Sequence, residues 1–212
     1  MTTAYLPQTM SDVVIDVSHW QAPIDFAQAK ASGIVAVILK ATQGTSFVDP
    51  TFASRAVEAH GAGLLLGGYH FFDNSDPTAQ AGYFLATVAR TGMQMLMALD
   101  FEPSATSQTI ENNAAVFIST VKMGTGSWPV LYTGRWAVAP AQPGFRECPL
   151  WLAEYGASPI CPPGWAEWKL WQHTDGQVGS GVAPIPGVGR CDRDRFAGTI
   201  PELAGWWSNP TP

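Results

Sequence analysis

The chain has 212 residues and a formal net charge of −6, with only 13% charged side chains against nine Trp, ten Phe and five Tyr. An acidic balance without any Lys/Arg run excludes a phosphate-tracking surface for nucleic acid and a polybasic anchor for anionic membranes. No apolar stretch approaches the roughly 20 residues of a membrane span.

Apolar runs alternate with amphipathic segments along the chain. Met1 to Ser11 is polar and has neither a basic n-region nor an apolar h-region, so no secretory signal is expected. Val13 to Val17 reads as a first strand, and Ile24 to Ala31 as a short helix stopped at Gly33. Val35 to Ala41 is a second strand, and Pro50 to Ala62 carries apolar residues at helical spacing up to Gly63. Leu64 to Phe72 is a third strand. Asp76-Pro77 opens a helix running to Arg90. Met95 to Phe101 is a fourth strand, Ser107 to Lys122 a helix, and Pro129 to Thr133 a fifth strand. The rhythm then changes: Ala137 to Pro163 is rich in Pro, Gly and Cys and is interrupted by the short run Leu150 to Ala153. Glu167 to Gln172 and Cys191 to Phe196 are two further short strands, and Ser208 to Pro212 reads as a frayed tail.

Strand–helix alternation with nearly continuous apolar strands implies a parallel sheet buried on both faces. About five βα units followed by about three strands with little helix predict an irregular, TIM-like α/β barrel. It would form one domain over residues 1–212 with its core at about 12–206. A doubly wound sheet is the competitor, and the absence of G-x-G-x-x-G after the first strand weighs against it. The cysteines, Cys148, Cys161 and Cys191, are odd in number and lack C-x-x-C spacing. The four His residues form no His-x-x-x-His pair. Free thiols and no metal or other cofactor are therefore expected, with a Cys148–Cys161 bridge the alternative in an oxidising compartment.

The segment Met95-Leu-Met-Ala-Leu-Asp-Phe-Glu102 carries the chemistry. Residues i and i+2 of a strand share a face, so Asp100 and Glu102 are expected to project together at the C-terminal mouth, where barrel active sites lie. Carboxyls held this close oppose each other's ionisation, leaving one protonated as an acid and one charged. Glycoside hydrolysis needs that division. The purely structural alternative makes Asp100 a helix cap and Glu102 a solvated side chain. Asp16 ends the first strand, and Asp192 and Asp194 begin the last. In a closed barrel these strands are neighbours, so an acid from each can meet in one mouth.

Read together, these segments resemble the glycoside hydrolase family 25 lysozymes, the Chalaropsis-type muramidases. The matching residues are Ile15-Asp-Val-Ser-His-Trp-Gln21, Leu39-Lys-Ala-Thr-Gln-Gly44 with Asp49 and Phe52, and Gly68-Tyr-His-Phe-Phe72. They continue through Gln80, Ala81 and Phe84 to Leu99-Asp-Phe-Glu102, Leu131-Tyr-Thr-Gly134 and Leu150-Trp-Leu-Ala153 with Tyr155. Trp168, Leu170-Trp-Gln172, Asp192 and Phe196 complete the match. The resemblance implies a barrel that cleaves the β-1,4 bond between N-acetylmuramic acid and N-acetylglucosamine in peptidoglycan. It makes Glu102 the general acid, Asp100 its neighbour that stabilises the transition state, and Asp16 and Asp192 the other two acids. Tyr69, Tyr132, Trp151, Tyr155 and Gln172 match groove positions. Two departures stand out: Gln43 where Glu is common, and Asp192-Arg-Asp194 where the family usually has Asp-x-Asn. Asp192 is taken as the site residue of that motif.

Lys40 ends the second strand among apolar residues and is expected to pair with a site carboxylate. His70 is expected to be a hydrogen-bonded structural histidine. Trp20, Trp136, Trp165, Trp206 and Trp207 are expected to serve mostly in packing, with a few as groove platforms. Retention through the substrate's 2-acetamido group is the expected mechanism, with Asp100 as nucleophile the alternative. The rivals are a chitinase-like acetamido-sugar hydrolase, whose longer acidic strand motif is missing here, and a non-catalytic wall-binding protein, which would have no need of four acids. The implied partner is the peptidoglycan glycan strand, engaged by a monomer. A lone catalytic domain without a signal resembles a phage endolysin held in the host cytoplasm until lysis, with secretion by another route the alternative.

Overall fold

A computed structural model describes residues 4–105, 107–137, 144–179 and 183–212. The extreme N-terminus (1–3) and part of the Pro/Gly/Cys-rich stretch (138–143) lie outside the described residues.

The elements follow in order as β1 (Ser11–Val17), α1 (Phe26–Ala31), β2 (Ala36–Gln43), β3 (Phe47–Val48), α2 (Phe52–Gly61), β4 (Leu65–Phe71) and α3 (Pro77–Ala89). They continue with β5 (Leu96–Asp100), α4 (Gln108–Thr125), β6 (Val130–Thr133), β7 (Leu150–Ala153), β8 (Leu170–Thr174), β9 (Asp192–Phe196) and α5 (Ile200–Ser208). Local chemistry sets the helix starts. Asp25, Asp76 and Ser107 each accept a backbone N–H in the first turn of α1, α3 and α4, and Pro77 occupies a first-turn position where no N–H is needed. Gly126, at φ +80°, closes α4 in the left-handed conformation.

Eight strands close into a barrel in the order β1-β9-β8-β7-β6-β5-β4-β2, with β2 returning to β1. The two-residue β3 folds back antiparallel onto the end of β2. Seven barrel strands run parallel, but β9 is antiparallel to both β1 and β8. This corrects the expectation of an all-parallel sheet. Its physical basis is the connection before β9, which shows no helix among its described residues and delivers the chain at the mouth rather than at the base.

The period of two along the strands separates two cores. Val14, Ile38, Leu96, Ala98, Val130, Leu170 and Phe196 fill the lumen, whereas Ile15, Val37, Leu39, Leu66, Leu99 and Leu131 face the helices. Gly67 takes its lumen position because a Cβ there would lie 3.1 Å from Ile38 Cγ1. Because β9 runs downward, α5 follows at the base. It opens with a Thr199–Glu202 capping box and inserts Leu203 and Trp207 into the lumen cluster. The Trp207 indole N–H donates to the Leu66 carbonyl at 2.7 Å.

Candidate active site

The lumen parity that buries Leu96 and Ala98 places Asp100 one layer higher, at the mouth. The strand geometry persists past β5: Phe101 N–H donates to the Tyr132 carbonyl at 3.0 Å. The Phe101 ring packs outward against Phe72 and Phe145, which returns Glu102 to the lumen side. Asp100 is buried and Glu102 is exposed. The two carboxyls lie close enough to act on each other, and Asp100 Oδ1 is buried with no N–H or hydroxyl donor. Burial, then the Glu102 charge, hold Asp100 well above the usual carboxylate range. Enclosure by the pocket walls also raises Glu102. Carboxyls this close oppose each other's ionisation, which favours a single proton on the pair.

Across the mouth, the antiparallel register sets Asp16 of β1 opposite Asp192 of β9. Burial, and next the charge of Asp175, push Asp192 up to about 6. Asp16 is buried, and its Oδ2 accepts from the Gln172 amide at 2.9 Å. The Gln172 oxygen in turn accepts the Tyr132 hydroxyl at 2.7 Å and the Tyr155 hydroxyl at 2.9 Å. Burial and the charge of Asp192 raise Asp16 well above its ordinary value. Trp151 is 2% exposed and donates its indole N–H to Asp194 Oδ1 at 2.6 Å. Tyr69 faces the same hollow, with burial and Asp100 keeping its hydroxyl protonated.

These groups enclose an open hollow of about 530 Å³. A second hollow, of about 770 Å³, adjoins it at Glu102, Tyr132 and Tyr155 and extends to Arg135, Trp136 and Glu154. Arg135 and Glu154 form an ion pair at 3.3 Å. Sequence reasoning did not single out this pair, and no local motif marks it.

Nine of the ten residues named from sequence thus line one hollow. Lys40 does not line it, and its expected carboxylate pairing is corrected. Its ammonium donates to Gln43 Oε1 at 2.8 Å and lies 4.9 Å from the Phe71 ring centre, at the rim. Gln43, the residue that departs from the family pattern, supplies this neutral partner. Asp100 and Glu102 act on Lys40 only through space, against the lowering effect of burial. Asp192 and Asp194 share a face, with Asp192 at the mouth and Asp194 fully buried one layer below. Of the five tryptophans weighed, Trp20 (82%) and Trp136 (56%) are exposed, and Trp136 lines the second hollow. Trp207 is buried at the base, and Trp165 and Trp206 are partly buried against core clusters. Cys148, Cys161 and Cys191 are unpaired and buried. Among the described residues no helix is long and apolar enough to cross a membrane, and no cluster of three or more His, Cys, Asp or Glu could hold a metal ion.

A barrel whose C-terminal mouth gathers acids from its first, middle and last strands, one of them exposed beside a buried partner, has the construction of a glycoside-cleaving enzyme. Comparison with known proteins gives the same class. The chain belongs to the glycosyl hydrolases family 25, whose family model matches residues 15–182, and it is a glycoside hydrolase of the lysozyme type. It is 32% identical to Lysozyme M1 of Streptomyces globisporus, over 92% of this chain and 71% of that one. It is also 32% identical to the N,O-diacetylmuramidase of Chalaropsis sp., over 76% of this chain and 86% of that one. Among solved structures, the muramidase from Trichobolus zukalii is 32% identical and superposes with a TM-score of 0.77, covering 93% of this chain and 99% of that one.

Proposed function

We propose that the chain hydrolyses the β-1,4 bond between N-acetylmuramic acid and N-acetylglucosamine in bacterial peptidoglycan, with Glu102 protonating the leaving oxygen. Peptidoglycan hydrolysis of the lysozyme type comes with the family. The bond and the acid are the finer reading, and the observation that supports them is the placing of exposed Glu102 beside buried Asp100, whose ionisation it opposes, in the open hollow. Both line the open hollow, and Glu102 is the more exposed of the pair. Handing over the proton leaves two negative carboxyls beside a developing oxocarbenium ion, which stabilise it in a poorly hydrated site. Tyr69, Tyr132, Tyr155 and Gln172 offer polar groups to the sugar rings, and the aromatic faces of Trp136 and Tyr155 flank the next position along the groove.

The same geometry supports retention assisted by the substrate's own 2-acetamido group. An inverting pair needs its carboxyls roughly 6.5–9.5 Å apart and an acid–nucleophile pair about 5–5.5 Å. Asp100 and Glu102 sit side by side, two residues apart on one chain segment, rather than facing each other across the hollow. Asp100, buried, is a poor nucleophile and a good partner for a polar group of the substrate.

The test is turbidity loss of purified cell walls with wild type and Glu102→Gln, together with the anomeric form of the first product. Loss of the acid lowers the rate by about 10²–10⁴-fold. Equal rates from both proteins would remove Glu102 from the role, and an inverted product would remove acetamido assistance.

A further inference from the structure

Beneath the mouth lies a second meeting of carboxyls. Asp194 is 0% exposed. One oxygen, Oδ1, takes the Trp151 indole N–H at 2.6 Å, while Oδ2 is buried with no N–H or hydroxyl donor. Beside Asp194 lies the carboxyl of Asp16, itself 6% exposed; Gln172, which donates to Asp16, pairs directly with Asp194 across β8 and β9. The arrangement repeats that of Asp100 and Glu102: an orphaned buried oxygen on one acid and a second acid beside it. Two ionised carboxylates buried side by side would oppose each other, and a single proton removes the conflict.

We propose that Asp194 and Asp16 hold one proton between them, and that Asp194 is a positioning residue that fixes Asp16 and, through it, the Gln172 amide and the hydroxyls of Tyr132 and Tyr155. The chain of contacts is continuous. Asp194 holds one side of Asp16, and Gln172 Nε2 donates to the other at 2.9 Å. That contact turns the Gln172 oxygen toward the two tyrosine hydroxyls at 2.7 and 2.9 Å. A neutral Asn at position 194 would do the same work with its amide N–H and would need no shared proton.

The charged and titratable neighbours are of known sign. Asp192 acts on both members of the pair, Asp100 on Asp16, and Asp12 on Asp194. Tyr69 and Tyr132 face Asp16 from β4 and β6, and the Cys191 thiol adjoins the pair where β9 begins. Lys40 lies at the rim, bonded to Gln43. The β9 and β8 side chains of opposite parity are engaged elsewhere: Arg193 and His173 meet Asp12, and Arg195 lies over Trp171. Among the described residues no ion pair joins a cation to Asp16 or Asp194, and burial followed by Asp192 raises both.

The experiment compares wild type with Asp194→Asn in two readouts. The first is unfolding free energy against pH. A proton kept in the fold above the ordinary carboxylate range gives stability that is complete below about pH 3.9 and declines as pH rises. The wild type should lose stability as pH rises above about 3.9, with a slope steeper, by about one proton, than that of Asp194→Asn. The second is kcat/KM on cell walls. Asp194→Asn should retain most of the activity, whereas Asp194→Leu, which leaves the Trp151 N–H unpaired, should lose at least about tenfold. Equal pH slopes, or an Asn variant as impaired as the Leu variant, would overturn the proposal. If the variants do not fold, carboxyl-carbon NMR of the wild type decides: retention of one proton by Asp16 and Asp194 at neutral pH supports it, and ionisation of both in the ordinary carboxylate range refutes it. The activity arm rests on the lysozyme reading of the mouth, but the proton count does not. A Glu102→Gln protein that stayed active would sink that reading and leave the count standing.

Discussion

His70 offers the sharpest stability prediction. It lies on β4 with 0% exposure, and its ring stacks on Phe117 at 4.8 Å. Gln80 donates its amide N–H groups to the carbonyls of Asp73 and Ser75, so its oxygen is the acceptor facing His70 Nε2 at 3.0 Å. Nε2 must then carry the hydrogen, and Nδ1 accepts the Thr42 hydroxyl at 2.7 Å. This fixes a neutral ring. Burial lowers its pKa from 6.5 to about 4. The gap is equivalent to about 3 kcal/mol at 1.36 kcal/mol per pH unit. The sign follows from linkage: this stability is complete above about pH 6.5 and is lost as pH falls toward about 4, because the unfolded chain takes up the proton first. The raised carboxyls of the mouth work in the opposite sense over part of the same range, so the effect must be read as a difference between proteins. His70→Asn should be less stable than wild type at pH 7 by about 1–3 kcal/mol, through unmatched polar groups. That gap should narrow by about 3 kcal/mol by pH 4, as the wild type alone pays for a buried charge. Urea unfolding of both proteins between pH 7 and 4 measures it. A gap independent of pH would refute the neutral, buried assignment of this ring.

The remaining predictions concern the base and the groove. Trp207→Ala removes the indole that closes the bottom of the lumen and its bond to Leu66, and should cost about 3–5 kcal/mol in denaturant unfolding. A loss below 1 kcal/mol would mean that α5 does not seal the barrel. Gly134→Ala places a Cβ where the Trp136 ring now lies, so the exposed ring must move. KM on cell walls should rise severalfold while kcat and thermal stability change little, and an unchanged KM would take Trp136 out of substrate binding.

Much of the barrel was legible because its strands are apolar runs bounded by residues that stop them. Val13–Val17, Met95–Phe101 and Leu150–Ala153 fall within a residue or two of β1, β5 and β7. The i, i+2 argument placed Asp100 and Glu102 together because a strand leaves no freedom in that respect. Two elements escaped. β3 is only two residues long, too short for any periodicity. α5 was overlooked although Thr199-x-x-Glu202 ahead of Leu203 and Trp207 carries the capping-box signature. The direction of β9 was not legible, because a five-residue strand of alternating charge reads the same in a parallel or an antiparallel pairing. The fate of Lys40 turned on Gln43, three residues away across a register shift, and no pattern in the sequence reports such a contact.

The reversed last strand is what joins these observations. A parallel β9 would carry Asp192 and Asp194 to the base, with Phe196 at the mouth. Running antiparallel, it lays Asp192 opposite Asp16 and Phe196 opposite Ser11. The same five residues then supply an acid to the mouth, a buried acid beneath it and an apolar plug below that, each on the lumen face by the period of two. β5 is built on the same rule in the forward direction, from Leu96 through Ala98 to Asp100. Acidic groups can gather at one end of an apolar lumen because β1, β5 and β9 each change from hydrocarbon to carboxylate toward that end. The burial that results brings proton sharing with it, since so many carboxyls held together cannot all be ionised. The chemistry of the mouth is in this sense a consequence of barrel register, and a variant that slips β9 by two residues should lose activity while keeping every acidic side chain in the sequence.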